Sequence, residues 1–386
     1  MATKTLRVAM DGVTGRLGTN QHLIRSVLAI RNEGGLPLKN GDRLIPEPVL
    51  VGRNPEKLAA LAAAHGDLKW STDKAATLAD KTIDIYFDSA ATGGRLDRAL
   101  QAIAAGKHIY LEKPVAASAE EAMRIVHAAQ AAGVKAAAVQ DKIYLPGFRK
   151  LRKVLESGFC GRILSARLDA GWWVFDGDRY PMQRSSWNYR KKDGGGLVLD
   201  MYPHWRYLLA SLMGPIKAVS CRRLTQIPKR VDEAGKPFQV DVEDEVFATF
   251  EFESGALAQV TTSWATRVKR DDLIQIQIDG TLGSAMAGGH RCFTQSLDAT
   301  PRPAWNVEVP QAMNFDEHWQ EVPEHEPFKN SYRWGWEQFL RHVANEGPLP
   351  SSILEGAKDV QLTELCYQSD RERRWIDVPA LDRGGT

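Results

Sequence analysis

The sequence predicts an α/β protein: a doubly wound parallel sheet in its N-terminal part, then an α/β domain on a large, mostly antiparallel sheet. Three observations carry this. Short apolar runs alternate with helical periods over about the first 140 residues. A glycine-rich turn follows the first apolar run. Alternating strands, two of them joined by a short turn, occupy residues 242 to 287. At 386 residues the chain exceeds what one core usually supports, so two domains are expected, 1–142 and 143–386.

The first strand is Leu6-Arg7-Val8-Ala9-Met10, followed by Asp11-Gly12-Val13-Thr14-Gly15-Arg16-Leu17-Gly18 and a helical pattern from Thr19 to Ile30. Strand, glycine turn and helix in that order form the context of a dinucleotide fingerprint. Glycine lets the backbone come close, and the helix N-terminus offers free N–H groups to a pyrophosphate. The spacing is GxxGxxG rather than GxGxxG, so the turn carries one extra residue. Arg31 to Pro46, with Gly34, Gly35, Pro37, Asn40, Gly41 and Asp42, reads as a loop insertion outside the core, placed to cover the adenosine end of a cofactor. Strand 48–52, helix 55–65, strand 83–87, helix 94–105, strand 108–111, helix 118–132 and strand 134–139 complete a Rossmann arrangement with helices on both faces.

The second domain begins around Leu145-Pro146-Gly147-Phe148 and has a strand over 165–175. After Gly194-Gly195-Gly196 the segment is expected to be helical, which puts Asp200 and His204 one turn apart on one face. Residues 244–252 and 256–260 alternate and are joined by Glu253-Ser254-Gly255, a hairpin signal. A last helix near 353–368 is free to pack back towards the first domain.

Lys plus Arg (50) nearly balance Asp plus Glu (48), leaving a net charge of +2 without long charged blocks. That argues against nucleic-acid binding. Apolar runs are of strand length and no apolar leader precedes the first strand, so a membrane-free, cytoplasmic protein is expected. Cys160, Cys221, Cys292 and Cys366 are scattered, which suits a reducing compartment and gives no metal pattern. No metal is expected.

A carboxylate beside an imidazole poises a base near neutral pH, because the charge orients and stabilises the protonated ring. Taken alone, an Asp/His pair at this spacing is more often a surface contact. At the end of the second strand, Val51-Gly52-Arg53-Asn54 lacks the acid that would hold a ribose 2′-hydroxyl. Arg53 leans towards NADP, although an arginine there also stacks on adenine with NAD bound. Trp172, Trp173, Arg179, Tyr180, Arg184, Trp187, Tyr189, Arg190, Lys191 and Lys192 crowd one stretch. They read either as a core tryptophan cluster with a solvated basic loop, or as a carbohydrate pocket that favours an anionic substituent.

Tyr110-Leu111-Glu112-Lys113-Pro114 after a strand, joined to a downstream GGGxxxDxxxH, resembles the Gfo/Idh/MocA oxidoreductases over nearly the whole chain. The resemblance implies that Lys113 sits beside the nicotinamide and the reacting hydroxyl, that Asp200 holds the substrate, and that His204 is the general base. It also implies face-to-face sheet packing between subunits, giving a homodimer or homotetramer. Many members continue as HxxD, where this chain has His204-Trp205-Arg206-Tyr207. Members often show Asn-Arg where this chain has Gln140-Asp141-Lys142. The expected catalytic residues are therefore Lys113, Asp200 and His204. Cofactor contacts are expected from Gly12, Thr14, Gly15, Arg16, Leu17, Arg53, Asn54, Ser89, Ala90, Glu112, Lys113 and Gln140. Substrate contacts are expected from Lys113, Lys142, Trp173, Arg184, Trp187, Tyr189, Asp200, His204 and Tyr207.

The function expected is NAD(P)-dependent hydride transfer to or from a ring carbon of a sugar, polyol or glycoside. The alternative is a redox-neutral glycosidase with tightly bound NAD, which oxidises, eliminates, hydrates and reduces in turn. A catalytically silent sensor is disfavoured, because Lys113, Asp200 and His204 are all present.

Overall fold

The protein is described here from a computed structural model covering residues 2–324 and 326–381. The chain divides into two compact units. The first takes in the described residues up to Tyr144, together with Lys329–Glu364 and Ala380–Leu381; the second comprises Leu145–Phe328 and Leu365–Pro379. This differs from a simple split after residue 142, since a C-terminal segment returns to the first unit.

The first unit holds a sheet of β1 (Thr3–Asp11), β2 (Leu36–Pro37), β3 (Arg43–Val51), β4 (Lys69–Ser71), β5 (Ile85–Asp88), β6 (His108–Leu111) and β7 (Ala136–Ala138). The order is β2-β3-β1-β5-β6-β7, with β4 also on β3, and only β2 runs antiparallel. Alternate residues of each strand point to opposite faces. Val8, Met10, Ile85 and Phe87 meet Leu23 and Val27 on one side, whereas Ala9, Tyr86, Ile109 and Leu111 meet Ala99, Ile103, Ile125 and Val126 on the other. The returning segment seals both. Trp336, Phe339 and Leu340 of helix Ser331–Val343 join the first cluster, and Ile353, Leu354 and Ala357 join the second.

The loop expected from Arg31 to Pro46 is a correction. β3 starts at Arg43 and pairs with all nine residues of β1, while Leu36 and Leu44 are buried in the core. The expected strand 48–52 is the second half of β3; Pro46 hid the first half, since proline reads as a breaker. Two residues apart, Pro46 and Pro48 aim their missing donors the same way. On its outer side β3 pairs with β2 only at Arg43 and Leu44 and with β4 only from Val49, so no ladder bond is lost. The first helix also departs from a plain α-helix. Gly18–Leu28 is wound with the wider π pitch before α-helical Ala29–Asn32.

The second unit is built on β8 (Ile163–Gly171), β9 (Ile216–Leu224), a small β10 (Lys229–Val231) and β11 (Pro237–Gln239) pair, β12 (Glu245–Phe252), β13 (Leu257–Ser263), β14 (Ile274–Gly280), β15 (Gly283–Ala287), β16 (Cys292–Ser296), β17 (Gln320–Glu321) and β18 (Ile376–Asp377). The large sheet runs β17-β16-β15-β14-β8-β13-β12-β9-β18, and only β8 and β13 are parallel neighbours. The expected hairpin forms across Glu253-Ser254-Gly255. Helix Leu197–Met213 packs on this sheet through buried Tyr202 and Trp205, whose indole donates to Thr262 Oγ1 at 2.9 Å.

Candidate active site

In the first unit the glycine turn closes on itself. The N–H of Gly15 donates to the Gly12 carbonyl at 3.1 Å, and the Thr19 hydroxyl donates to the Val13 carbonyl at 2.6 Å. Gly12 has φ 73°, and a Cβ there would lie 2.4 Å from the Ala90 nitrogen. Only glycine fits. The turn thus meets Ser89 and Ala90, whose loop is fixed by the Ala90 N–H donating to Asp88 Oδ1 at 2.9 Å and the Ser89 hydroxyl donating to the Asp11 carbonyl at 3.0 Å. A bare backbone cradle opening into a helix N-terminus suits a pyrophosphate. Thr14, Arg16 and Leu17 lie on its exposed rim.

Arg53 is exposed just past β3. Asn54 beside it caps helix Pro55–Ala63, its Oδ1 accepting from the Lys57 N–H at 2.9 Å. Asp11 and Val51 are in register, so the ends of β1 and β3 are neighbours. Glu112 and Gln140 turn inward instead: Gln140 donates to Asp359 at 2.7 Å, and Glu112 accepts from His22 at 2.7 Å. Lys142 pairs with Asp141 at 2.7 Å.

Sequence reasoning missed the charged layer beneath the turn. Asp11 and Asp88 face each other across β1 and β5, an unfavourable pairing by itself. Lys74 pairs with Asp11, and the Arg98 Nε donates to Asp88 at 2.7 Å. Tyr86 donates to Asp11 at 2.7 Å, and burial together with both carboxylates drives its phenol far above the ordinary range, fixing it as a donor. These pairs are distant in sequence and have no local signature.

In the second unit the glycine run has a local reason. A Cβ on Gly195 would lie 2.5 Å from the carbonyl oxygens of Trp187 and Asn188. The helix N-terminus is satisfied by Glu243, whose Oε1 accepts from the Val198 N–H at 2.9 Å. Asp200 and His204 lie one turn apart in helix Leu197–Met213, as the spacing predicts, with Pro203 between them. Arg184 donates to Asp200 Oδ2 and, at 2.9 Å, to Asn188 Oδ1. Its guanidinium lies 4.3 Å from the Trp264 ring centre and 5.9 Å from that of Trp172. Nδ1 of buried His204 is 2.7 Å from the Tyr207 hydroxyl. The structure therefore brings Arg184, Asp200, His204 and Tyr207 together.

Tyr189 departs from expectation. It is 0 % exposed, between the Arg230 guanidinium and the Trp264 ring, and so packs beneath the site. Trp187 is 49 % exposed. Trp173 stacks with Arg267 at 4.1 Å. Trp264 was missed because it looks like any apolar strand residue.

Residues 6–140 match the model of the oxidoreductase family with an NAD-binding Rossmann fold, and residues 148–286 match that of the GFO/IDH/MocA C-terminal domain. D-xylose dehydrogenase of Paenarthrobacter nicotinovorans is 45 % identical over 383 residues, covering 98 % of this chain and 99 % of that protein. The chain belongs to the Gfo/Idh/MocA family. It is an oxidoreductase of that family with an NAD-binding domain. Levoglucosan dehydrogenase of Pseudarthrobacter phenanthrenivorans is a more distant relative, 28 % identical over 364 residues, covering 86 % of this chain and 90 % of that protein. The solved structure of a levoglucosan dehydrogenase complex with NADH superposes with a TM-score of 0.80 at 22 % identity, covering 98 % of this chain and 100 % of the other, which establishes the shared fold. Among the described residues no helix is long and apolar enough to cross a membrane.

Proposed function

We propose that this oxidoreductase is a sugar dehydrogenase in which His204 is the general base, Asp200 and Arg184 hold the sugar, and Lys113 stabilises the developing alkoxide. The observation that carries the reading is the constellation Arg184, Asp200, His204 and Tyr207 on and beside one helix face. NAD, when bound, accepts the hydride from the sugar carbon. The protein's share is to remove the hydroxyl proton. With the Nδ1–H of His204 donating to Tyr207, Nε2 keeps its lone pair and takes that proton. Lys113 lowers the cost of negative charge on the same oxygen. Asp200 accepts hydrogen bonds from sugar hydroxyls, and the half-buried Trp172 supplies a flat apolar face.

Arg184 is already matched by Asp200, which favours a neutral sugar over an anionic one. The 45 % identity to a D-xylose dehydrogenase makes D-xylose the first substrate to test. Arg53, with Arg16 on the neighbouring turn, supports acceptance of a 2′-phosphate and hence NADP alongside NAD. The four cysteines are unpaired and buried, which supports a cytoplasmic setting. Exposed Leu164, Phe247 and Leu257 on the large sheet support a homodimer or homotetramer, and a monomer by light scattering would overturn that.

The test is absorbance at 340 nm with D-xylose and each nucleotide. Net stoichiometric reduction is expected, and should be lost in His204→Ala by about 10²–10⁴-fold. Release of an aglycone from a glycoside with catalytic NAD and no net absorbance change would instead establish the glycosidase alternative.

A further inference from the structure

We infer that His22 and Trp336, acting through Glu112, are positioning residues that fix Lys113 relative to the nucleotide-binding turn. The inference rests on the reading of Lys113 as the group that stabilises the alkoxide.

The chain of bonds is directional. The Trp336 indole N–H donates to His22 Nδ1 at 3.1 Å. An indole can only donate, so Nδ1 carries a lone pair and the ring proton is on Nε2. That Nε2–H donates to Glu112 Oε1 at 2.7 Å. The other carboxylate oxygen, Oε2, accepts the backbone N–H of Lys113 at 2.9 Å. His22 and Trp336 are fully buried and Glu112 nearly so, which excludes water as a substitute partner. From the far side, buried Arg95 donates to the carbonyls of Glu112, at 2.9 Å, and of Pro114 and Ala90. The backbone on both sides of Lys113 is held by charge-assisted bonds, and the loop that meets Gly12 is held by the same guanidinium.

His22 is in helix Gly18–Leu28, which begins where the glycine turn ends. The seat of the pyrophosphate and the lysine loop are therefore joined by a side-chain relay. Neither His22 nor Trp336 is needed to explain nucleotide binding. Together they fix where Lys113 starts from, and placement errors of an ångström cost large factors in rate.

The polarity of the relay gives it a specific signature. Glu112 faces two donors, His22 Nε2–H and Lys113 N–H, and a carboxylate satisfies both. A glutamine has one acceptor and one donor end. In Glu112→Gln the backbone N–H claims the amide oxygen, because it cannot be reversed, and the amide NH₂ then meets His22 Nε2–H. The ring could accept there only by moving its proton to Nδ1, where the Trp336 N–H already points. Replacing Trp336 with phenylalanine removes that obstacle.

The experiment uses the full chain and measures kcat, KM for the sugar, nucleotide Kd by fluorescence, and Tm for each variant. Glu112→Gln should lower kcat about 10- to 100-fold with nucleotide Kd changed less than about threefold. Trp336→Phe alone should lower kcat, yet in the Glu112→Gln background it should raise kcat about fivefold, a sign reversal that packing loss alone does not give. Should Glu112→Gln fail to fold, His22→Gln and His22→Leu replace it. The Gln amide reproduces both bonds, its oxygen accepting from Trp336 and its NH₂ donating to Glu112, so it should keep about tenfold more kcat than the Leu variant.

Wild-type kcat in Glu112→Gln, simple multiplication of the two losses, or equal kcat in the His22 pair overturns the relay. Lys113→Met separates this from the underlying reading. If it keeps wild-type kcat, the role given to Lys113 fails and the relay falls with it. If it is inactive while Glu112→Gln is wild-type, the relay alone fails.

Discussion

The Tyr207 hydroxyl stands 2.7 Å from Nδ1 of His204, three residues earlier on the same helix. In the proposed mechanism the phenol oxygen accepts the Nδ1 proton, which leaves the lone pair of the imidazole on Nε2. Tyr207→Phe should lower kcat about tenfold with little change in KM for the sugar, because ring orientation matters most in the transition state. Steady-state kinetics decide it, and unchanged kcat would show that the phenol does not orient the base.

Arg184 is the second lever. Its guanidinium bonds Asp200 while lying over Trp264, a geometry that lysine cannot reproduce. Arg184→Ala should raise KM for the sugar about tenfold, more than it lowers kcat, as Asp200 loses its partner. Arg184→Lys should recover less than half of that loss on the logarithmic scale. Full recovery in kcat/KM would mean that charge alone, without stacking, holds Asp200.

Arg53 should govern nucleotide choice. Arg53→Ala is expected to lower kcat/KM for NADP about tenfold relative to that for NAD, the size of one lost charge-assisted contact to a phosphate. An unchanged ratio between the two nucleotides would leave the preference to other residues.

Glu33 and Arg333 form a two-pronged pair at 2.6 and 2.5 Å that ties helix Ser331–Val343 to the end of the first helix. The hydrogen bonds from Arg333 hold the Glu33 carboxyl below its ordinary value of 4.5. Its stabilisation is therefore present above pH 4.5 and lost as the pH falls through the lowered value. Glu33 is well exposed, so the size is that of a surface pair, below about 1 kcal/mol. Urea unfolding at pH 7 should show Glu33→Gln less stable than wild type by that small margin, with the difference shrinking as the pH is lowered below 4.5. A difference that persisted at low pH would place the effect elsewhere.

Local signals and their limits explain what could be read ahead of the structure. The strand, glycine turn and helix at the N-terminus, the hairpin at Glu253-Ser254-Gly255 and the helical Asp200/His204 spacing all depend on neighbours in sequence, and these agree with the fold. Glu112 was identified through the family resemblance, but as a cofactor contact. Its actual partner His22 is 90 residues away, and Trp336 is 314 residues from His22. Neither has a pattern distinguishing it from helix packing. The first half of β3 was hidden by Pro46, which is harmless because of which edge of the strand lacks a partner there. The Arg184–Asp200 pair spans a turn-rich stretch without periodicity, so its pairing had no sequence signature.

The return of Lys329–Glu364 to the first unit sets an order of events during synthesis. Trp336, Phe339, Leu340, Ile353, Leu354 and Ala357 complete the two faces of the nucleotide sheet. A nascent chain of some 144 residues has all seven strands of that sheet and their own helices but lacks the segment that completes the core on each face. The whole second unit up to Phe328 must leave the ribosome before the first can close. The half that binds the nucleotide is made first and finished last, so it is not a portable cassette that could be cut at its linker and grafted elsewhere.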